Sequence, residues 1–189
     1  DLGWVVHYQR PGSAIAYYQQ VGRAGRAVDR AYGILLSGRE DDEIADWFIR
    51  NAFPPTVNME EILQALEDVE SATLPQLERS VNLPRGRIEQ GLKLLEIDGA
   101  VRREKGRFFR TASPWSQDEE RIARVIATRR AELADMRAYV THTGCRMEYL
   151  TRLLDDPVAG PCGQCNNCRG VGLTRELSEE LVQEAVMFL

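Results

Sequence analysis

No stretch of the chain approaches the run of roughly 18 apolar residues that a membrane helix needs, which excludes a bilayer-spanning helix. A basic, apolar, small-residue leader is also missing, and the first residue is Asp1 and not Met, so the chain is expected to lie inside a longer protein. Positive charge is not in surplus. Twenty-four Lys and Arg stand against 29 Asp and Glu, for a formal net charge of -5 and a pI near 5.2. Such a chain does not coat nucleic acid or anionic membrane indiscriminately, and any nucleic-acid site must be local. There is no G-x-x-x-x-G-K-[ST] loop and no acidic Mg²⁺ motif, so these residues alone should not hydrolyse a nucleoside triphosphate. Cysteine is absent outside residues 145–168. What remains is 189 residues and 21.4 kDa, 43% hydrophobic and 28% charged. That is ordinary for a soluble globular chain, enough for one large domain or two small ones and too short for most motor enzymes.

The four cysteines, Cys145, Cys162, Cys165 and Cys168, are too clustered for random core use. Three sit on a tight Pro-Cys-Gly-Gln-Cys-Asn-Asn-Cys knuckle, where Gly160, Pro161 and Gly163 shape the turn. Three thiolates there can meet the fourth from the Cys145 segment around a tetrahedral ion, with Zn–S near 2.3 Å. Four soft ligands leave no open position, so the site reads as structural zinc that contributes folding free energy to a loop-rich segment without a core of its own. Two disulfides, or an iron–sulfur cluster on the same thiolates, are the alternatives. His142 reads as a helix-end histidine and not a ligand, and His7 as a core or edge residue in an apolar strand.

Along the chain, residues 4 to 8 read as a short buried strand, followed by a turn at Arg10-Pro11-Gly12-Ser13, a helix from about Ser13, and a second strand from Tyr32 to Leu36. This strand, helix, strand unit is too small for a parallel sheet by itself, so the rest of an α/β domain is expected upstream. Residues 40 to 50 form a helix with Ile44, Trp47 and Phe48 on one face, and a domain boundary falls near residue 55. Met59, Ile62, Leu63, Leu66 and Val69 then mark a helix with one buried stripe. Thr73 and Gln76 make a capping box for a second helix carrying Leu74, Leu77 and Val81. Pro84 opens a third, with Ile88, Leu92 and Leu95, which Asp98-Gly99 stops. Val101 to Arg103 and Arg107 to Arg110 flank Glu104-Lys105-Gly106 as a hairpin.

Three helices and a hairpin in that order give a winged-helix arrangement over residues 56–113. Between Arg85 and Arg110, eight basic residues (Arg85, Arg87, Lys93, Arg102, Arg103, Lys105, Arg107 and Arg110) face four acidic ones. Between Glu40 and Glu78, eleven acidic residues stand against Arg50 alone. The asymmetry places phosphate contact on the third helix and wing. Phe108 and Phe109 can offer a base-stacking ring, with at least one of them in the core.

Ser116 and Glu119 suggest a capping box for a helix reaching Thr143, and Met147, Leu150, Leu153 and Leu154 continue a helical face that Cys145 begins. Residues 114–172 are thus a long helix plus the four-cysteine module, and 173–189 an amphipathic helix through Leu177, Leu181, Val182, Ala185 and Leu189. The expected class is mainly α with small β elements: the end of a RecA-like α/β motor lobe over residues 1–55, a winged helix, and a helical zinc-binding module.

Gln19-Gln20-Val21-Gly22-Arg23-Ala24-Gly25-Arg26 fits Q-x-x-G-R-x-G-R. Two arginines three apart, with glycines allowing close backbone approach, can deliver two planar cations to a polyphosphate. The stretch resembles motif VI of superfamily-two helicases. Val-Val-His-Tyr, the proline turn and Tyr-Tyr-Gln before it look like the RecQ family in particular. Cys145-Arg146 followed by Cys162-Gly163-Gln164-Cys165-Asn166-Asn167-Cys168 resembles the RecQ zinc module. The resemblance implies ATP-driven, three-prime to five-prime unwinding of DNA in repair or recombination. Gln19, Arg23 and Arg26 would take part in nucleotide sensing, with Arg26 as the arginine finger. It implies ATP and Mg in the parent protein, single-stranded, forked or duplex DNA as partner, the upstream motor domains, single-stranded-DNA-binding protein, no membrane, and an intracellular place, cytoplasmic and nucleoid-associated in a bacterium. In the usual RecQ order the winged helix follows the zinc module, whereas here it precedes it, so the strand-splitting role of the family's wing is not carried over to residues 101–110. A non-enzymatic winged-helix and zinc DNA-binding regulator is the alternative reading.

Overall fold

The computed structural model describes residues 2–28, 30–172 and 178–188. Its elements in chain order are β1 (Trp4–His7), α1 (Ala14–Val21), β2 (Tyr32–Leu35), α2 (Glu40–Arg50), α3 (Thr56–Glu67), β3 (Ala72–Thr73), α4 (Leu74–Ser80), α5 (Arg85–Ile97), β4 (Val101–Glu104), β5 (Arg107–Arg110), α6 (Glu119–Thr141), α7 (Arg146–Arg152), α8 (Asn166–Arg169) and α9 (Glu179–Phe188). The chain divides into two compact units, one of residues 1–42 and 129–189 and the other of residues 43–128. Among the described residues, no helix is long and apolar enough to cross a membrane.

In the first unit, β1 and β2 pair in parallel from Trp4 with Tyr32 to His7 with Leu35, so α1 is the crossover of a strand, helix, strand unit. Ser13 starts α1, its hydroxyl accepting from the Ala16 N–H at 3.2 Å. The helix approaches β2 so closely that a Cβ on Gly33 would lie 2.2 Å from Val21 Cγ2, which leaves glycine as the residue that fits. The strand was expected to be buried, but only His7 is: Trp4 is 65% exposed and Val6 42%. A two-stranded sheet covered by one helix leaves its other face bare. The core beneath α1 gathers Ala14, Tyr17, Met136, Tyr139 and Leu150. Asp42 is paired with Arg10 and with Arg137, at 2.9 Å from the latter, and these two guanidinium groups hold its carboxyl below the usual carboxylate range.

The second unit has its own core. The stripe expected on α3 is buried at Met59, Ile62, Leu63 and Leu66 and meets Leu77 and Val81, and Ile88, Leu92 and Leu95 of α5. Val69 lies beyond the end of α3 and is exposed. The Thr73 N–H donates to Gln76 Oε1 at 2.8 Å, as the sequence led us to expect for α4. Pro84 precedes α5 and Asp98 closes it. β4 and β5 form the hairpin, with Lys105 at φ 47° and Gly106 at φ 79°, the pair of positive φ values a tight two-residue turn requires. A strand not foreseen, β3, pairs with β5 through Ala72 and Phe108 and completes a sheet in the order β3-β5-β4. Phe108 is the buried ring of the two phenylalanines.

Three local expectations differ from the structure. The apolar face of α2 is open: Trp47 is 54% and Phe48 62% exposed, the two rings touching edge to face, while Ile49 turns inward. α6 begins at Glu119 under Asp118, whose Oδ1 accepts from the Arg121 N–H at 2.8 Å, so the cap is two residues past Ser116. A carboxylate one residue ahead of the helix reaches the free amide better than the more distant hydroxyl. α6 also stops at Thr141, ahead of Thr143. Of the expected amphipathic helix, Leu181, Val182 and Ala185 lie on α9, whereas Leu177 and Leu189 fall outside the described residues.

Candidate functional site

The four thiols converge, with the Sγ atoms of Cys145, Cys162, Cys165 and Cys168 all within 4.8 Å of one another. None forms a disulfide, and Cys165 Sγ lies 4.0 Å from Cys145 Sγ. Local structure explains the convergence. Cys145 caps α7, its sulfur accepting from the Glu148 N–H at 3.4 Å and from the Cys162 N–H at 3.2 Å. Cys162 accepts from the N–H groups of Gln164 and Cys165 at 3.4 and 3.3 Å, and Cys165 caps α8 by accepting from the Cys168 N–H at 3.4 Å. The sulfurs of Cys145, Cys162 and Cys165 are thus held by amides that follow them, and at Cys145 and Cys165 these amides favour the thiolate.

Polar side chains lock the knuckle to the Cys145 segment. Asn167 Nδ2 donates to the carbonyls of His142 and Gly144 at 2.7 and 2.8 Å. Arg146 Nε donates to Asn166 Oδ1 at 2.9 Å and its Nη1 to the Tyr139 carbonyl at 3.0 Å, with the guanidinium 5.3 Å from the Tyr139 ring centroid. The sequence reading gave Asn167 no role. The available signal was its place between two ligand cysteines, where a short side chain with two donors can tie carbonyls of a second segment. His142 packs at a tilt against Tyr149, ring centroids 4.8 Å apart, and, among the described residues, no histidine or carboxylate joins the thiol group.

The thiols titrate unequally. Burial opposes ionisation of Cys165, but the amides of Cys168 and Arg146 and the neighbouring thiols outweigh it and bring its pKa from 9.0 down to about 6. Burial likewise opposes ionisation of Cys145, and the amides of Cys162 and Glu148 reverse the balance and lower it. Cys168, whose proton is held by the sulfurs of Cys165 and Cys145, is pushed up to about 12. Thiolates packed this closely repel one another unless a cation sits among them. A divalent ion held by Cys145, Cys162, Cys165 and Cys168 would remove the disparity by taking all four as thiolates.

Gln19, Arg23 and Arg26 are exposed, at the end of α1 and on the loop after it. The loop is fixed by the Gly25 N–H donating to the Leu2 carbonyl at 2.9 Å, beside a parallel bridge between Leu2 and Ala24. Gln20, next to the motif's first residue, accepts through its Oε1 from His7 Nε2 at 2.8 Å, and so ties α1 to β1. The motif's backbone is thus held at Gly25 and Ala24, and its guanidinium groups are exposed.

The eight basic residues of α5 and the hairpin divide by what they already hold. Arg87 donates to Asn51 Oδ1 at 2.6 Å, and Arg110 to the carbonyls of Ala100, Thr111 and Ser113 at 2.9 to 3.0 Å and to Glu67 at 3.2 Å. Arg107 donates to the Ser71 hydroxyl and carbonyl at 2.8 and 3.1 Å, and Arg85 lies 3.0 Å from Glu89 and 3.6 Å from Glu78. Arg102 is paired with Glu104 and lies 4.6 Å from the Phe109 ring centroid; Arg103 lies 5.5 Å from that of Phe108. Lys93 and Lys105 are exposed.

Four thiols at tetrahedral reach, with inward-turned amides and no open position, define a structural tetrathiolate module whose donor set fits zinc. Residues 107–169 match the family model described as RecQ zinc-binding, an interval that holds all four cysteines, α6, α7 and α8. A comparison with curated proteins finds no match to this chain.

Proposed function

We propose that the chain is the carboxyl-side module of a RecQ-like, ATP-dependent DNA helicase. The carrying observation is the tetrathiolate site within the segment that matches RecQ zinc-binding. It is supported by the Gly22–Arg26 loop, which follows the crossover helix of a parallel strand, helix, strand unit, the setting in which such arginines face a nucleotide. In this reading residues 1–55 close a RecA-like motor lobe, residues 56–113 are a winged helix that grips DNA, and zinc is structural. ATP and Mg²⁺ are held by upstream motor domains of the parent, which moves three-prime to five-prime on DNA in repair or recombination, with single-stranded-DNA-binding protein as a further partner.

The chemistry assigned to these residues is modest and specific. Zinc, when bound to Cys145, Cys162, Cys165 and Cys168, supplies charge neutralisation and a rigid crosslink. The chain's own amides orient the sulfurs, and Asn167 and Arg146 hold the two segments together. Arg26, with Arg23, stabilises charge developing on a transferred phosphoryl group without itself exchanging a proton. In the parent, Arg26→Ala is expected to lower DNA-stimulated ATP turnover by about a thousandfold with DNA affinity kept, and normal turnover would refute the finger role. Anisotropy with single-stranded, duplex and forked DNA, for the chain and for an Arg103→Glu, Lys105→Glu double variant, tests the wing. The reading expects affinity to fall with salt and the slope to lessen by about one for each lost phosphate contact.

A further inference from the structure

One series of rings crosses the first unit from strand to thiol site. His7 on β1 lies 5.0 Å from Tyr17 on α1, Tyr17 lies 5.2 Å from Tyr139 on α6, Tyr139 lies 5.9 Å from Tyr149 on α7, and Tyr149 lies 4.8 Å from His142. Tyr17 and Tyr139 are buried, so neither can shift without opening a void in the packing. At one end the series is joined to the knuckle. The His142 carbonyl accepts from Asn167, Arg146 spans from the Tyr139 ring and carbonyl to Asn166, and Cys145 caps the helix that carries Tyr149 and Leu150. At the other end Tyr17 sits one turn before Val21, the last residue of α1, and Gly22–Arg26 follows directly. Leu150 of α7 shares a core with Ala14 and Tyr17. The helix held by a metal ligand and the helix that presents the arginines are therefore packed as one body.

We infer that Tyr17, Tyr139 and Tyr149 are positioning residues through which occupancy of the four-thiol site fixes the Gly22–Arg26 loop. With the ion bound, α7 is anchored at Cys145 and the rings hold the last turn of α1. With the ion removed, α7 loses its anchor and the loop loses its restraint. The consequence for phosphate chemistry rests on the reading of Arg23 and Arg26 given above, but the coupling does not.

Hydrogen exchange read by mass spectrometry on the whole chain, with zinc content measured beside it, tests the coupling. Chelating zinc is expected to speed exchange over residues 17–26 by about tenfold while α3, α4 and α5 exchange as before. Tyr139→Ala should keep one zinc per chain and speed exchange at 17–26 but not at 162–169, and Tyr139→Phe, which keeps the ring, should restore protection to within about twofold of the original. Should Tyr139→Ala fail to fold, Tyr149→Leu, at a half-buried position, replaces it with the same expectations. Unchanged exchange at 17–26 on chelation overturns the inference. So does loss of zinc by the substituted chain, because the rings would then belong to the metal site's own fold. Loss of ATP turnover in Arg26→Ala is read separately in the parent, so failure of the arginine assignment leaves the exchange result interpretable.

Discussion

The two units are stabilised by different physics. Residues 43–128 bury a continuous apolar cluster, with Ile62, Ile88, Leu95 and Ala100 at zero exposure, under a three-stranded sheet. In the other unit the buried apolar group is smaller and clusters under α1, while the stretch from 142 to 170 buries little beyond Cys145 and Leu150 and is closed by thiols, amides and Asn167. A segment of that kind lacks the apolar area to offset its conformational entropy, so its order depends on the ion, whereas the helical unit has a continuous apolar core to offset it.

Removing the ion should break the contrast most sharply. Structural zinc is worth about 10–16 kcal/mol in small domains, so Cys165→Ser or chelation is expected to unfold the knuckle. Limited proteolysis should cut within 142–170 while residues 56–111 persist as a resistant fragment; an unchanged digestion pattern with full metal content would sink the assignment. The reciprocal change is Leu92→Ala, which opens a cavity at a 2% exposed site and should cost about 2–5 kcal/mol. Calorimetry should show the loss in one transition, with zinc content kept at one per chain.

The smallest effect sharpens the picture of the thiols themselves. While the knuckle keeps its fold, its amides hold Cys165 down at about 6, so this contribution to stability is present above the ordinary value of 9.0 and is lost as pH falls through about 6. Cys168 is raised to about 12, so its contribution is full below 9.0 and is lost as pH rises through about 12. Site-resolved alkylation at pH 7, taken immediately after chelation while the knuckle still holds its fold, should therefore label Cys165 well ahead of Cys168 although Cys168 is the more exposed thiol. Labelling in order of exposure would contradict the amide network, and zinc should abolish the difference.

Much of this was legible in local signals. Ser13, Pro84 and Lys105-Gly106 act on their own neighbours through a hydroxyl, a fixed φ and a positive φ, and each element they mark begins or turns where expected. The thiol site was legible because a knuckle needs its cysteines close in sequence. Less could be read where the outcome depends on a distant surface. Ile44, Trp47 and Phe48 have the spacing of a buried face, yet spacing says nothing of whether a partner lies there. β3 is two residues long and exists because β5 offers it an edge. Arg87 and Arg110 read as free cations until Asn51 and the Ala100, Thr111 and Ser113 carbonyls are brought beside them.

By itself the sequence determined the helices of the second unit, the Ser13 and Thr73 caps, the hairpin, the cysteine ligands and the arginine loop, because each is marked by residue types in a short stretch of chain. Only the tertiary structure decided that Cys145 meets the knuckle through Asn167, that rings from β1, α1, α6 and α7 stack in one series, and which arginines are already engaged. Those contacts join residues far apart in the chain, where pairing is selected by packing and by the need to satisfy buried polar groups, and neither is written in any local stretch.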